Sequence, residues 1–529
     1  MDNNELMKFV ELVSLQMNKG DWAKALEVAE QIKRLGPHYL VSYYLSGLLI
    51  DIGSCLEKEA IVEEGRIALE RDFEDIIRHK ELAVSATYNL GNAYQAKAGF
   101  QFRKGQNNFF LKKDNLDFAK DQYRKALQLN PDNKLKTQIL VNLGNCFDHL
   151  GRVVEALDCY DLALTLQPNF GMALGNKGKA LHYYSLLCGE HRGTYVLEAY
   201  TLLKSSKASV TSEAALDFDN HIRMIEEQYK ELPLQNPPQY PGLSIKGRSN
   251  FEQYQIDYCL QNALYLNVCS VCRKCDAAIG DTIRIKSMTV AAKDISYLTL
   301  SSYLNEIKED YVTARSLIIL STYEGINLDF FDKYVTIVNT LDGSQINIYI
   351  QLIKTAFKTF YDILDKIAFF INDFLQLGMK DTEINFSTIW YTSNRREEVK
   401  EDIVKTKSAS LNALFDLHKD LDYGVFRSLK DTRNSLTHRF VKIKIKPKIE
   451  TDREMKEETL INQTLVLTKL VRNAIIYLLQ LVQVEELKKL KQTDKLAIPI
   501  PVPIIPFKQK KRKSKQKSKT IRVSAREKQ

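Results

Sequence analysis

A repeated pattern of small and bulky residues constrains the N-terminal part of this chain more than any other feature. In the window 137–168 it occupies eight positions, which are Leu143, Gly144, Phe147, Gly151, Ala156, Tyr160, Ala163 and Pro168. The preceding segment keeps the same offsets in two halves, Leu90-Gly91-Tyr94 and Ala119-Tyr123-Ala126-Pro131, which are separated by 16 additional residues. Small residues let two helices cross closely, and bulky residues fill the space left by the neighbouring unit. The pattern therefore predicts stacked helical repeats with one insertion.

These positions resemble the tetratricopeptide repeat at all eight places of its signature. Partial units with matching offsets are Gly20, Ala25 and Pro37, then Tyr43 and Gly47, and finally Leu174 and Gly178. The resemblance implies a curved solenoid over residues 1–232 whose concave face binds an unknown peptide or protein segment. A packing scaffold without a ligand is the alternative, and no residue identifies the ligand.

Proline positions divide the rest of the chain. Because proline lacks an amide proton and breaks helix interiors, the crowded stretches 233–243 and 497–507 are interpreted as extended linkers. No proline occurs between Gly242 and Lys446, and apolar residues recur there at intervals of three and four, which predicts helices. The expected fold is all-α: a repeat solenoid (1–232), a linker (233–243), a helical middle region (244–344), a C-terminal helical bundle (345–492), and a linker with a disordered basic tail (497–529).

The composition favours a globular protein. Hydrophobic residues make up 44% and charged residues 27% of the chain, as in ordinary globular proteins. The first residues lack the basic and apolar regions of a secretory signal, so we expect a cytoplasmic protein whose eight cysteines are reduced. Apolar patches such as Ala474–Leu479 are too short to span a bilayer, so no membrane association is expected.

The stretch Lys430–Phe440 contains the residues that could take part in a chemical reaction. An arginine followed five residues later by a histidine is a weak signal alone, and a surface arginine with a partly buried histidine is the default interpretation. However, Arg433 to His438 resembles the R-x4-H motif of the HEPN superfamily, including the polar residue after the arginine, Asn434. Residues 353–377, 411–426 and 457–490 resemble the helices of such a bundle. Tetratricopeptide repeats before a HEPN domain resemble a bacterial subfamily associated with defence or toxin functions.

HEPN domains with this motif are commonly metal-independent ribonucleases, so the resemblance implies RNA cleavage without a cofactor or metal. His438 suits proton transfer at neutral pH, and Arg433 suits stabilisation of the crowded phosphate. Asn434 would orient one of these groups or contact RNA. One imidazole cannot be acid and base in the same step, and the resemblance implies a homodimer that supplies the second. On an ideal helix Arg433 and His438 point about 140° apart, so their convergence requires the long arginine stem or a helix irregularity.

Basic residues follow the motif. Lys442, Lys444 and Lys446 alternate with apolar residues, which predicts a short strand or extended arm. With Arg439 they would line an RNA-binding cleft, or they are the solvated edge of a strand protected against aggregation. Residues 508–529 carry a net charge of +10, which leaves −1 for residues 1–507. Nucleic-acid tethering is favoured for this tail over nuclear localisation or solubilisation.

Four cysteines form a second group of candidate site residues, which could bind a metal. Cys269 and Cys272 have the C-x2-C spacing of metal ligands, with Cys259 and Cys275 nearby. No second pair or histidine completes the set, so core cysteines are favoured over zinc or an iron–sulfur cluster.

The sequence thus predicts an endoribonuclease controlled by a repeat sensor. The main alternative is a non-enzymatic repeat adaptor whose HEPN domain dimerises or binds nucleotide. A third interpretation is a nucleic-acid-binding regulator with a cysteine-bound metal.

Overall fold

The fold was obtained as a computed structural model. It describes residues 3–105, 110–111, 114–207, 210–285, 287–288, 296–339, 341–393, 395–444, 454–492 and 500–501. Lys446, most of the second proline-rich linker and the basic tail lie outside the described residues. The structure is 71% helical, with 19 α-helices among the described residues, which confirms the all-α prediction.

Helices of the first 232 residues pair as the repeats predict. Their bounds are α1 (Asn3–Asn18), α2 (Trp22–Lys33), α3 (Tyr39–Cys55), α4 (Glu59–Arg71), α5 (Phe73–Ile77), α6 (Lys80–Arg103), α7 (Asn115–Gln128), α8 (Asn133–His149), α9 (Val153–Leu166), α10 (Gly171–Ser185), α11 (Arg192–Ser206) and α12 (Ser212–Gln228), with a 3-10 helix at Gly189–His191. Contacts are densest between α1 and α2, α3 and α4, α6 and α7, α8 and α9, and α10 and α11. Part of the 16-residue insertion lengthens α6.

The repeat signature has a steric basis in the structure. A Cβ atom added to Gly144 would lie 2.6 Å from the ring of Tyr160, and one added to Gly91 would lie 2.6 Å from the ring of Tyr123. Both tyrosines are buried. The glycine therefore makes room for the tyrosine of the paired helix, which explains why the two residues recur together.

The remaining helices form the middle region and the C-terminal bundle. Their bounds are α13 (Asn250–Gln261), α14 (Ser296–Thr322), α15 (Ile348–Leu375), α16 (Glu401–Lys405), α17 (Ala409–Asp422), α18 (Arg427–His438) and α19 (Glu457–Gln492), with 3-10 helices at Val268–Ser270, Asp276–Ala278, Asp329–Phe331 and Asp381–Glu383. Residues 229–249 contain no helix. Most of the described residues between α13 and α14, 262–285 and 287–288, lie outside helices and strands, so this described part of the middle region is less helical than predicted.

Five short strands complete the described elements. They are β1 (Ser287–Met288), β2 (Ser344–Gln345), β3 (Lys442–Lys444), β4 (Glu454–Lys456) and β5 (Ile500–Pro501). β1 pairs with β5 antiparallel, while β3 lies between antiparallel β2 and parallel β4. The alternation of basic and apolar residues after the motif predicted a short strand or an extended arm, and the structure has a strand at Lys442–Lys444. Because β3 is central in its sheet, it is not the edge strand that one interpretation assumed.

One hydrophobic core extends from Ala98 in the repeats to Val482 in α19. α17 lies at its centre, and every residue from Ser410 to Leu421 is buried. The Ser408 hydroxyl caps this helix by accepting a hydrogen bond from the Leu411 backbone N–H.

Charged residues join α17 to the repeats in what we call the interdomain charge cluster. Its members are Asp117, Lys120, Arg124, Arg152 and Glu155 from the repeats and Asp416, Lys419 and Asp420 from α17. Lys120 Nζ lies 2.7 Å from Asp416 Oδ2, and Arg152 Nη1 lies 2.9 Å from the same oxygen. Burial alone would raise the pKa of Asp416, but the charges of Lys120 and Lys419 outweigh it and hold the pKa below its usual value. The repeats and the C-terminal bundle are therefore joined by ionised, buried pairs.

The helix α19 is long and apolar enough to cross a membrane by length and composition, with a mean hydropathy of 1.6 over its apolar window. Of that window, 78% is buried within the protein. This burial is typical of a core helix in a bundle.

Candidate functional site

The helix α18 carries the R-x4-H motif and is fixed by three neighbouring elements. Its buried face consists of Leu429, Thr432 and Ser435. Thr432 Oγ1 donates a hydrogen bond of 2.8 Å to Gln463 Oε1 on α19. Lys430 Nζ lies 2.6 Å from the Asp422 carboxylate at the end of α17. These contacts determine the orientation of the motif relative to the bundle.

Arg433 points toward α15. Its guanidinium lies 5.3 Å from the ring centroid of Tyr361, and its Nη2 lies 4.0 Å from Asp365 Oδ2. Nη1 donates a hydrogen bond of 3.3 Å to Asn434 Oδ1. Nε is buried and has no hydrogen-bond partner among the described residues. An aromatic face and a carboxylate thus hold the guanidinium, and its Nε remains able to donate.

Two carboxylates on α15 lie near this arginine. Burial raises the pKa of Asp365, while a hydrogen bond from the Phe386 backbone N–H and the charge of Arg433 oppose the rise. Burial likewise raises the pKa of Asp362, and Arg433 again opposes it. A carboxyl group with a raised pKa can hold a proton nearer to neutral pH than an ordinary aspartate. Asp365 and Asp362 are therefore candidate site residues beside Arg433, because their carboxyl groups could hold a proton.

Sequence reasoning missed these α15 residues. It treated the segment around Phe360 only as an apolar helix. The available signal was the spacing of Tyr361, Asp362 and Asp365, because residues three and four apart share one helix face and here they interrupt an otherwise apolar stripe.

His438 lies at the exposed end of α18 as its last residue. The helix remains regular from Arg433 to His438, and only at Arg439 does the backbone become extended, with φ −138° and ψ 169°. A helix irregularity therefore does not bring the two side chains together. The structure joins Arg433 with Asn434 directly and leaves His438 open to solvent.

The predicted RNA-binding residues have different environments. Lys442 Nζ pairs with Asp342 at 2.5 Å, and Lys444 Nζ pairs with Glu454 at 2.8 Å. Ile443 between them is buried, so both lysines lie on the opposite face of β3. Arg439 is exposed. The two lysines would have to exchange these carboxylates for phosphate in order to bind RNA.

Metal coordination by the cysteines finds no support in the described residues. Cys259 packs in a small cluster with Leu264 and Ile319, whereas Cys269 belongs to the main core. Within the described ranges, no three histidine, cysteine, aspartate or glutamate side chains are grouped so that they could hold a metal ion.

Comparisons with known proteins agree with the fold. Residues 292–485 match the family model of LA2681-like HEPN, and residues 137–170 match the tetratricopeptide repeat. The HEPN match begins before α14, whereas the boundary predicted from the sequence was 345.

A curated relative matches part of the chain. The photosystem I assembly protein Ycf3 of Acaryochloris marina (strain MBIC 11017) is 43% identical over 65 residues, which is 12% of this chain and 39% of that protein. The chain thus spans about two fifths of the length of the relative.

HEPN domains are commonly ribonucleases, and tetratricopeptide repeats mediate protein interactions. The chain therefore combines a tetratricopeptide repeat with an LA2681-like HEPN domain.

Proposed function

We propose that this protein is a metal-independent endoribonuclease that acts in the cytoplasm, controlled by its repeats, with a role in antiviral defence or as a toxin. The observation that carries the proposal is the R-x4-H motif on α18. Its histidine is exposed at the helix end, and its arginine is fixed against α15. An exposed imidazole suits a bulky polymeric substrate better than one inside a closed pocket.

RNA carries its own nucleophile, the 2′-hydroxyl beside each phosphodiester. Cleavage requires a base for the proton of this hydroxyl, an acid for the departing 5′-oxygen, and positive charge for the phosphate oxygens. His438 would transfer one proton. Arg433 would donate hydrogen bonds to the phosphate, with Asn434 and Asp365 orienting its guanidinium. The second proton-transfer group would be His438 of a second copy.

An exposed apolar surface supports a homodimer. Between α14 and α15, and just after the motif, large side chains face solvent in what we call the apolar ribbon, consisting of Phe330, Phe331, Tyr334, Val335, Ile337, Val338, Leu341, Ile346 and Phe440. Nine side chains of this kind, exposed by about two thirds on average, present on the order of 1,000 Å². A standard interface buries roughly 800 Å² per partner, so these side chains offer enough apolar area for one side of a dimer.

The ribbon lies beside the motif. Phe440 follows His438 by two residues and is 94% exposed. Ile346 of the ribbon follows Gln345, which pairs with Ile443 in the small sheet, three residues after Phe440. A second copy docked on the ribbon would therefore approach His438, as a shared cleft requires.

Control by the repeats is supported by the interdomain charge cluster. Arg124 and Arg152 of the repeats bind Asp420, and Asp422 two residues later binds Lys430 of α18. A partner that shifts the repeats thus has a short physical route to the motif helix.

The test is RNA cleavage in EDTA by the purified full-length protein and its His438→Gln variant. General acid–base catalysis contributes about 10² to 10⁴ in rate, so we expect a loss of that size and 2′,3′-cyclic phosphate ends in wild-type products. His79→Gln is the matched control, because the His79 side chain is also accessible to solvent, with 42% of it exposed, but lies in the repeats. Equal cleavage by wild type and His438→Gln would refute the assignment.

The adaptor remains the second candidate, favoured by the ion pairs that occupy Lys442 and Lys444. It predicts that wild type cleaves no RNA with or without a bound partner. It also predicts that Arg433→Ala combined with His438→Ala leaves the cellular phenotype unchanged. Cleavage that depends on His438 would exclude it.

A further inference from the structure

A turn in the middle region holds two cysteines side by side. The backbone N–H groups of Cys272 and Arg273 both donate to the Cys269 carbonyl, at 3.2 and 2.9 Å, so residues 269–272 form one helical turn. Cα atoms three residues apart in such a turn are about 5 Å apart, within the 4.4–6.8 Å range of disulfides. Arg273 closes the turn in the left-handed region with φ 54°. The backbone is therefore already arranged for a bond between these two sulfurs.

The two thiols have different environments. Cys269 is buried, whereas Cys272 is half-buried and lines an open cleft of about 410 Å³ together with Lys177, Arg273 and Lys274. The Cys272 thiol is thus accessible to a small molecule in the cleft, whereas the Cys269 thiol is buried. Two of these cations pair with carboxylates that also line the cleft, Lys177 with Asp161 at 2.7 Å and Lys274 with Glu198 at 2.9 Å.

Electrostatics favour a thiolate at the exposed position. The Cys269 side chain, the Tyr195 hydroxyl and the Lys274 backbone N–H lower the pKa of Cys272 to about 6, against burial, which raises it. By contrast, burial raises the pKa values of Cys55 and Cys259 to about 11. The thiolate is the nucleophilic form of cysteine, so Cys272 should be a stronger nucleophile near neutral pH than Cys55 or Cys259.

We propose that Cys272 and Cys269 form a peroxide-reactive dithiol site, independent of RNA cleavage. The Cys272 thiolate attacks one oxygen of hydrogen peroxide, so that an S–O bond forms, the O–O bond breaks and hydroxide leaves. The Cys269 sulfur then attacks the sulfenic Cys272 sulfur, an S–S bond forms, and the S–O oxygen departs with the Cys269 proton as water. Two thiols and one peroxide thus give one disulfide and two waters. The cleft admits the oxidant, and the turn positions the second sulfur.

The test treats the reduced full-length protein with hydrogen peroxide and maps peptides under non-reducing conditions. Wild type should lose about 2 Da, with the bond between Cys269 and Cys272 and reversal by a dithiol reductant. Cys269→Ser should stop at a sulfenic acid on Cys272 that dimedone traps. Cys272→Ser should form neither product, while Cys275→Ser, the matched control in the same segment, should behave as wild type.

A second measurement does not depend on disulfide formation. Alkylation of Cys272 by iodoacetamide, followed by peptide mass spectrometry, should rise with pH around a midpoint near 6, well below the 8.5 of an ordinary thiol. A midpoint of 8 or above would overturn the proposal. So would oxidation that reaches Cys275 or Cys55 before Cys272, or stoichiometric zinc bound to these cysteines in the purified protein.

Discussion

Replacement of Asp416 by asparagine tests whether the repeats and the HEPN domain are held together by charge. The interdomain charge cluster contains four cations and four carboxylates. The Asp416 carboxylate is fully buried and lies within 3.4 Å of Lys120, Arg152 and Lys419. Asparagine has nearly the same shape, so the substitution removes charge with little change in packing.

The expected cost follows from burial. When one partner of a buried ion pair is removed, the other charge is left without compensation, which costs about 3–5 kcal/mol. This is a large fraction of the roughly 5–15 kcal/mol that stabilises a typical domain. Exposed pairs contribute about 0–1 kcal/mol. Asp75, which lies 2.8 Å from Arg78 with 62% of its side chain exposed, provides the matched control.

The free energy of unfolding in urea, followed by circular dichroism, measures the effect. Asp416→Asn should lose about 3–5 kcal/mol, and Asp75→Asn less than about 1 kcal/mol. Lys120→Met combined with Asp416→Leu should recover much of the loss, because it removes one charge of each sign. Equal stability of Asp416→Asn and Asp75→Asn would refute the description of the cluster as a buried ionic network.

Three further predictions concern other regions. Burial lowers the pKa of His418 to about 3, so the folded protein does not take up the proton that the unfolded chain binds below pH 6.5. Wild type should therefore lose about 2 kcal/mol more stability than His418→Gln between pH 6.5 and 5, and parallel losses would contradict this. Val338→Asp in the apolar ribbon should convert a dimer to a monomer in sedimentation, while Leu162→Asp, an equally apolar exposed site on α9, should not; a dimer that persists in Val338→Asp would exclude the ribbon as the interface. Gly144→Ala should cost about 1–3 kcal/mol of unfolding free energy by crowding Tyr160, whereas Gly99→Ala, with no atom within 4 Å of the added Cβ, should stabilise α6 by about 0.5–1 kcal/mol; equal effects would contradict the steric account.

Much of the fold was predictable because it rests on local patterns. Gly144 and Tyr160 contact each other within one helix pair. Because this contact is local, the same pair recurs in the sequence as Gly91 and Tyr123, with the 16-residue insertion between them. The predicted helices at 353–377 and 457–490 correspond to α15 and α19, since both carry continuous apolar periodicity. The irregular backbone of residues 262–285, after α13, was not predicted. It is fixed by non-local contacts, such as the hydrogen bonds from Arg315 Nη1 to the Leu264 carbonyl and to Asp281.

The candidate site was predictable only along one helix. Arg433, Asn434 and His438 are close in sequence, and a family resemblance pointed to them. Asp365 comes near Arg433 through the packing of α15 on α18. The spacing of Tyr361, Asp362 and Asp365 marks a polar face of α15, but it does not show that this face contacts Arg433. The carboxylate partners of Lys442 and Lys444 could not be predicted from the sequence either, because these contacts depend on strand pairing. Asp342, for example, approaches Lys442 only when β2 pairs with β3.

α17 shows why neither a sequence boundary at 345 nor a family match beginning at 292 defines an independent folding unit. A helix buried on all sides must be apolar all round or have its polar groups paired. The leucines of α17 pack in the bundle, but Asp416 and Asp420 pair with cations of the repeats, on α7 and at Arg152, the residue just before α9. Without the repeats, Asp420 would lose the cations that it contacts, and Asp416 would keep only Lys419 of its own helix. Without α17, Lys120 would keep only Asp117 and Arg152 only Glu155 among the ion pairs of the cluster. Because Asp422 then binds Lys430, the orientation of α18 depends on a helix that the repeats themselves hold in place.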